Sequence, residues 1–97
     1  VGWALNEEYY MGEDGSMQNF SLLDYRMPTS LDLPMIESVM MEKPNPSHPF
    51  GVKGVGEAAI APPLGALSNA IADAAGVRMR NLPMNPASVL KALQDKE

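Results

Sequence analysis

The longest regular pattern of apolar positions lies in the second half of the 97-residue chain. Between residues 58 and 75, apolar side chains recur every three or four positions, and this spacing predicts a helix with one apolar stripe. Pro62 and Pro63 fit only the first turn of such a helix, because proline has no N–H to donate, and Gly76 suits its C-cap. We therefore expect a central helix ending before Gly76, with residues 57–61 as a separate turn ahead of it.

The first third of the chain carries weaker signals. Residues 1–10 have the apolar spacing of a helix end, and Asp14-Gly15 is a common hairpin-turn sequence. Residues 20–34 are polar and irregular, and their prolines favour extended backbone. These patterns predict a helix end, a small hairpin and then a connector without regular structure.

Two segments of the second half have the features of strands. Residues 35–42 include β-branched side chains and lie between prolines, and residues 77–82 predict a second, short strand or extended exit. Asn85 and Pro86 fit the N-cap and the first position of a terminal helix. The predicted fold class is α+β, in the order helix end, hairpin, strand, central helix, short strand and terminal helix, within one domain that includes residues 1–97.

Composition narrows the class of protein. The net charge is −5 and the seven basic residues are scattered, which argues against nucleic-acid binding because that needs clustered Lys and Arg. The absence of cysteine excludes disulfides and iron–sulfur ligation by this chain, and is compatible with the cytoplasm. His48 is the only histidine, so no metal ligands are predicted. No apolar run approaches the roughly 20 residues of a membrane span.

The apolar content of the chain predicts a surface that contacts other segments or partners. Hydrophobic residues make up 45% of the chain and eight of them are Met, an adaptable side chain that is common where packing is irregular or between partners. The sequence begins at Val1 with a helix pattern already under way. We expect a piece of a longer chain that buries much of its surface against other segments.

The candidate chemistry is concentrated in the stretch Gly51-Val52-Lys53-Gly54-Val55-Gly56-Glu57. A dinucleotide fingerprint would need a further glycine at position 59, and a P-loop would need Gly-Lys-Ser/Thr; neither is present. One interpretation makes Glu57 a first-turn carboxylate that the helix dipole stabilises by up to about 1 kcal/mol. The other makes it a working residue presented by a glycine-rich turn.

Further motifs accompany this stretch in a definite order. They are Asn19-Phe20-Ser21, Asp24-Tyr25-Arg26-Met27-Pro28-Thr29, Asp32-Leu33-Pro34, Lys53-Gly54-Val55-Gly56-Glu57, Asn69-Ala70-Ile71-Ala72-Asp73-Ala74, Gly76-Val77-Arg78, Leu82-Pro83 and Pro86. Together they closely resemble the C-terminal end of the molybdenum-binding subunit of the molybdenum hydroxylases. This is the xanthine dehydrogenase and aldehyde oxidase family, which also includes carbon monoxide dehydrogenase and 4-hydroxybenzoyl-CoA reductase.

The resemblance implies a function. The chain would be the C-terminal part of a molybdopterin-binding domain, and its cofactor would be molybdenum on a pterin, as molybdopterin or its cytosine dinucleotide form. The implied reaction hydroxylates an aldehyde or N-heterocycle carbon of a small-molecule substrate with oxygen from water, and Glu57 is the implied general base. Gly54, Val55 and Gly56 are implied to lie against the cofactor.

The resemblance also implies partners. Iron–sulfur clusters and FAD would be carried on other domains or subunits, and the chain would contact these subunits and the remainder of the molybdenum subunit in the cytoplasm. The alternative is a non-catalytic fragment or subunit-interaction module that is inactive alone and binds a partner through its exposed Met and Leu side chains. The substrate, including a carbon monoxide or CoA-thioester substrate, is left open by these residues.

Overall fold

The computed structural model describes residues 1–96, which form three α-helices joined by long irregular segments. The helices are α1 (Gly2–Leu5), α2 (Ala61–Ala75) and α3 (Pro86–Gln94), and a short 3-10 turn spans Pro49–Gly51. The Cα atoms extend over 51 × 36 × 26 Å. The helix end, the central helix and the terminal helix predicted from the sequence are therefore confirmed.

The boundaries of α2 and α3 follow from local chemistry. Gly76 adopts the left-handed conformation at φ 69°, and its N–H donates to the Ala72 carbonyl at 2.9 Å, which ends α2 as expected. At the start of α3, the Asn85 side chain accepts a hydrogen bond from the Ser88 N–H at 2.9 Å, directly before Pro86. Both caps were predictable because they depend on adjacent residues only.

The predicted hairpin is reduced to a tight turn with one antiparallel bridge between Met11 and Met17. The N–H of Gly12 donates to the Ser16 carbonyl at 2.7 Å, and Gly15 has a φ of 79°. Asn19 closes the turn onto the chain before it. Its side chain is only 5% exposed, donates to the Glu8 carbonyl at 2.6 Å and accepts from the Tyr10 N–H at 2.8 Å.

Replacing Asn19 by Ala is expected to lower the free energy of unfolding by about 2 kcal/mol, because both backbone groups lose a partner in a partly buried place. Urea unfolding of the protein that carries these residues would measure the change. Gln18→Ala is the matched control, since Gln18 is an exposed neighbouring amide. An Asn19→Ala midpoint equal to that of the control would show that this bond pair does not stabilise the fold.

The small core joins the two ends of the chain. Ala4, Val77 and Met84 are buried, and the N–H of Met84 donates to the Ala4 carbonyl at 2.7 Å. The Ser68 hydroxyl on α2 donates to the carbonyl of Met79 at 2.7 Å. These contacts hold α1, the base of α2 and the segment before α3 together.

The α+β layout is not confirmed, because the described residues are helical with little strand. Residues 77–82 pack on α2 through Val77, Met79 and the bond from Arg78 to Asn69, instead of pairing with another strand. Residues 35–42 make no hydrogen bond to any part of residues 1–96 and are all exposed, Ile36 by 64%. A strand needs a neighbouring strand, and this stretch of chain supplies none.

Candidate functional site

A closed turn formed by residues 44–51 leads into the candidate site. The Asn45 N–H donates to the Gly51 carbonyl at 3.1 Å, and the Gly51 N–H donates to the His48 carbonyl at 3.0 Å. Gly51 has a φ of 68°, and a Cβ added there would lie 2.6 Å from the Cβ of Pro44. Glycine is therefore required at position 51 for both conformation and space.

The residue at the tip of this turn is strained. Phe50 has a φ of 57°, which bulky side chains rarely adopt, and its aromatic ring is fully exposed within residues 1–96. No local sequence pattern marks a non-glycine residue in the left-handed region, so Phe50 could not be singled out from the sequence. A preorganised turn thus presents an aromatic side chain seven residues before Glu57.

The glutamate loop, defined as residues 52–57, has an open backbone. Gly54, Val55 and Gly56 are all exposed, as is Glu57. Neither Gly54 nor Gly56 has a positive φ, and a Cβ added to either would meet no atom of residues 1–96 within 4 Å. Glycine at these two positions is therefore not required by the fold of this chain.

The amide groups of this loop are free to bind. The N–H groups of residues 53–57 have no hydrogen-bond acceptor anywhere in the described part of the chain. Exposed N–H groups without an internal acceptor are available to donate to acceptors outside this chain. The structure brings Gly54, Val55, Gly56 and Glu57 together on one exposed loop.

Glu57 lies in a turn before α2 and not in its first helical turn. The helix begins at Ala61 and has no acidic residue in its first turn, while the carbonyl of Glu57 accepts from the Ile60 N–H at 3.1 Å. The first-turn interpretation of Glu57 is therefore wrong, whereas the separate turn predicted before the helix is confirmed. Within residues 1–96 the carboxylate makes no hydrogen bond.

Two surface grooves lie away from the glutamate loop. A groove of about 560 Å³ between α1 and α3 is lined mainly by apolar side chains, including Met84, Val89 and Leu93. Another, of about 510 Å³, is lined by Trp3, Glu7, Tyr25 and others.

The described residues contain no group of three or more His, Cys, Asp or Glu side chains that could hold a metal ion. No helix of residues 1–96 is both long enough and apolar enough to cross a membrane.

Tyr25 and Glu7 form a pair that the sequence analysis missed, because 18 residues separate them. The Tyr25 hydroxyl donates to Glu7 Oε2 at 2.8 Å, and its ring lies 5.6 Å from the ring of Tyr9. The hydrogen bond to the carboxylate, with smaller contributions from desolvation and charge, raises the pKa of Tyr25 to about 12. The pair ties the connector to the end of α1.

Replacing Tyr25 by Phe is expected to remove a tyrosine that ionises late. Because the pKa is raised in the folded state, the stabilisation from this bond is complete below about pH 10, the ordinary value, and is lost as pH rises through about 12. An ultraviolet titration that measures tyrosinate against pH would follow the ionisation of Tyr25. Tyr10→Phe, at an exposed tyrosine, is the control and should leave the late transition in place; a late transition that persists in Tyr25→Phe would contradict the assignment.

Comparison with known proteins places the chain in a family. No protein-family model matches it. It is 42% identical over 87 residues to the xanthine dehydrogenase molybdenum-binding subunit of Escherichia coli O157:H7, covering 89% of this chain and 12% of that protein. It is 35% identical over 95 residues to an aldehyde oxidoreductase of Megalodesulfovibrio gigas, covering 97% of this chain and 10% of that protein.

The fold agrees with the sequence relationship. The crystal structure of quinoline 2-oxidoreductase from Pseudomonas putida 86 superposes with a TM-score of 0.83 at 30% identity, over 95% of this chain and 12% of that one. These 97 residues are thus homologous to a segment of the molybdenum-binding subunits of xanthine dehydrogenase and aldehyde oxidoreductase, which are molybdenum hydroxylases. The chain spans about one eighth or less of the length of these relatives, as the 12% and 10% coverages show.

Proposed function

We propose that this chain forms part of the molybdenum-binding subunit of a hydroxylase that oxidises an aldehyde or N-heterocycle carbon with oxygen from water. In this proposal Glu57 is the general base. The observation that carries it is the exposed carboxylate of Glu57, which lies outside the first turn of α2 and has no partner in residues 1–96. A carboxylate that neither caps a helix nor bonds to its own fold is available to a group from outside the chain.

The glutamate loop fits an approaching cofactor. Gly54 and Gly56 leave open space where side chains would project, although their φ values do not require glycine. The unpaired N–H groups of residues 53–57 can donate to anionic oxygen atoms of a molybdenum–pterin cofactor. We assign Gly54, Val55 and Gly56 to this contact, with Val55 positioned by the two glycines that flank it.

In the proposed reaction, the residues of this chain position the reacting groups and transfer a proton. The molybdenum cofactor, when bound, supplies an electrophilic metal that activates water and accepts the electrons of the oxidation. Glu57 would hold its carboxylate toward that water and would accept its proton as a general base. The loop backbone would place the carboxylate beside the cofactor, because glycine has no side chain to keep the two apart.

The proposal extends to cofactors and partners. The cofactor is molybdopterin or its cytosine dinucleotide form, and electrons leave through iron–sulfur clusters and FAD on other domains or subunits. The partners are those subunits and the remainder of the molybdenum subunit, in a cytoplasmic complex. The name of the Escherichia coli relative, a molybdenum-binding subunit, supports an assembly of several chains.

Metal analysis combined with a substrate screen tests the proposal. The protein that carries these residues would be purified with its partner subunits and assayed for dye reduction with aldehydes, purines and other N-heterocycles. About one molybdenum per protomer, with dye reduction by one of these substrates, is the expected result. A fully assembled preparation that contains no molybdenum would reject the proposal.

A second candidate function is a non-catalytic interaction module. Large apolar side chains exposed along most of the chain favour it, among them Phe20, Leu23, Leu31 and Met35, each at least 80% exposed. In a hydroxylase the same surface would be covered by the rest of the subunit. Molybdenum in the purified assembly separates the two, since a module that only binds a partner does not need the metal.

A further inference from the structure

The closed turn of residues 44–51 is held by its own hydrogen bonds and by no other part of the described chain. The Asn45 N–H donates to the Gly51 carbonyl at 3.1 Å, and the His48 N–H donates to the Asn45 carbonyl at 3.2 Å. Apart from a bond to the adjoining Val52, no hydrogen bond joins the turn to another segment of residues 1–96. The turn has a defined shape, but its place in the molecule must be fixed by a contact outside these residues.

The side chain available for such a contact is Phe50. It is the only large hydrophobic side chain in the turn, whose other members are prolines, glycine and polar residues. Its ring is fully exposed within residues 1–96. Burial of an aromatic ring removes a large apolar area from water and is a main source of stability in cores and interfaces. Covering this ring would therefore attach the turn firmly to whatever covers it.

The backbone of Phe50 indicates that the ring serves a purpose beyond the turn. Its φ of 57° and ψ of 11° lie in the left-handed region. Glycine adopts this region without cost and asparagine adopts it more readily than other side chains, so either residue would suit the turn better. Strained residues of this kind are concentrated at functional sites. The turn itself thus gains nothing from phenylalanine, and the choice of residue is explained by what the ring contacts.

The surface that covers the ring belongs to the rest of a molybdenum-binding subunit. The chain corresponds to only 12% of its Escherichia coli relative and 12% of quinoline 2-oxidoreductase, whose matching segment has the same fold. A longer chain of this kind has ample residues to form a pocket around the ring. The described residues leave the ring bare, so the pocket must be formed elsewhere in that chain.

The position of Glu57 depends on where this turn is attached. Residues 53–56 form no backbone or side-chain hydrogen bond within residues 1–96, so nothing there fixes the middle of the glutamate loop. The loop is held only at its ends. One end continues from the closed turn, and at the other the Glu57 carbonyl accepts from the Ile60 N–H at 3.1 Å, directly before α2. A shift of the turn is therefore passed along the loop to Glu57.

We propose that Phe50 is a positioning residue of the hydroxylase. Its ring docks into an apolar pocket in the part of the molybdenum-binding subunit outside these 97 residues, and this contact fixes the turn from which the glutamate loop starts. The inference rests on the proposed function, because the effect of Phe50 on turnover passes through the Glu57 carboxylate. Phe50 itself contacts neither the substrate nor the cofactor.

Two variants in the complete, assembled subunit separate the ring from the turn. Phe50→Asn and Phe50→Gly both suit the left-handed backbone but lack the ring. Each is expected to lower kcat by about 10- to 100-fold, because small displacements of reacting groups have effects of this size. KM and molybdenum content should stay near their wild-type values, since no contact with substrate or cofactor is lost. Phe50→Leu keeps a large apolar side chain and is expected to retain most of the turnover.

His48→Ala is the matched control, because it removes another exposed ring from the same turn. We expect normal kcat and KM in that variant. Normal kcat in both Phe50→Asn and Phe50→Gly would overturn the proposal. A raised KM with unchanged kcat would make Phe50 a substrate contact and would overturn the positioning role as well.

Hydroxyl-radical footprinting with mass spectrometry tests the docking in the unaltered subunit, so it does not depend on the folding of any variant. Phe50 is expected to be protected from oxidation in the assembled subunit and to lose that protection on unfolding in urea. Equal oxidation in the two states would show that the ring is not covered and would overturn the proposal.

The failure of this proposal is distinguishable from the failure of the proposed function. An assembled subunit without molybdenum and without turnover would reject the hydroxylase, whatever the state of Phe50. An active, molybdenum-loaded subunit in which Glu57→Gln loses turnover, while Phe50→Asn and Phe50→Gly do not, would reject only the positioning role of Phe50.

Discussion

Replacing Glu57 by Gln in the complete molybdenum-binding subunit is expected to lower turnover by about 100- to 10,000-fold, the usual contribution of a general base. The amide keeps the size and most of the contacts of the side chain but cannot take a proton. Molybdenum content should stay at the wild-type level, because backbone groups and glycines, not the carboxylate, are assigned to the cofactor. Steady-state kinetics with metal analysis on the same preparations would measure both.

The structure provides a control for this substitution. Glu13 is an exposed carboxylate in the turn between Met11 and Met17, and Glu13→Gln changes the same charge far along the chain from the glutamate loop. We expect normal turnover in that variant. Turnover of Glu57→Gln within a few-fold of the control would exclude Glu57 as the base.

Replacing Gly56 by Ala is expected to lower turnover by about 100-fold, which is the effect of displacing reacting groups by about 1 Å. The new methyl group would meet no atom of residues 1–96 within 4 Å, so we expect the effect to arise from contact with the cofactor. Molybdenum content is expected to fall together with turnover. Unfolding of the subunit should be unchanged, because the φ of Gly56 is accessible to alanine.

Gly65→Ala is the matched variant for this prediction. Gly65 lies inside α2, and a Cβ added there also meets no atom of the described chain. The same methyl group should be neutral or slightly stabilising in the helix, by about 0.5–1 kcal/mol. If Gly56→Ala retains full molybdenum content and full turnover, close approach of the cofactor at this glycine is refuted.

The parts of the fold that were predictable depend on neighbours in sequence. Gly76, Asn85 and the Asp14-Gly15 turn act over four residues or fewer, so their sequence signals translated directly into structure. The strands did not, because a strand is defined by a partner at a distance. For residues 35–42 no partner strand exists among residues 1–96. Residues 77–82 pack against α2 instead of pairing with a strand.

The candidate site at Glu57 stays a prediction from its motif, and the geometry of the loop could not be predicted. The motif around Glu57 was recognised by resemblance, and the structure adds that the carboxylate stands apart from α2 and that the glycines face open space. Neither the strain at Phe50 nor the bond from Tyr25 to Glu7 has a signal in the sequence. The conformation of Phe50 arises within the closed turn of residues 44–51, and the Tyr25 bond arises where segments 18 residues apart meet.

A tilt of helix α2 would displace the loop that precedes it. The C-terminal half of α2 is anchored by the bond from Ser68, in the middle of the helix, to Met79 and by buried Val77 after its end. The part of the helix from Ala61 to Ser68 spans about 10 Å at 1.5 Å per residue, so a tilt of about 6° at Ser68 displaces its N-terminal end by about 1 Å. Small changes in packing around Val77 are therefore expected to shift the position of Glu57. Substitutions that do not contact the loop can change its position in this way.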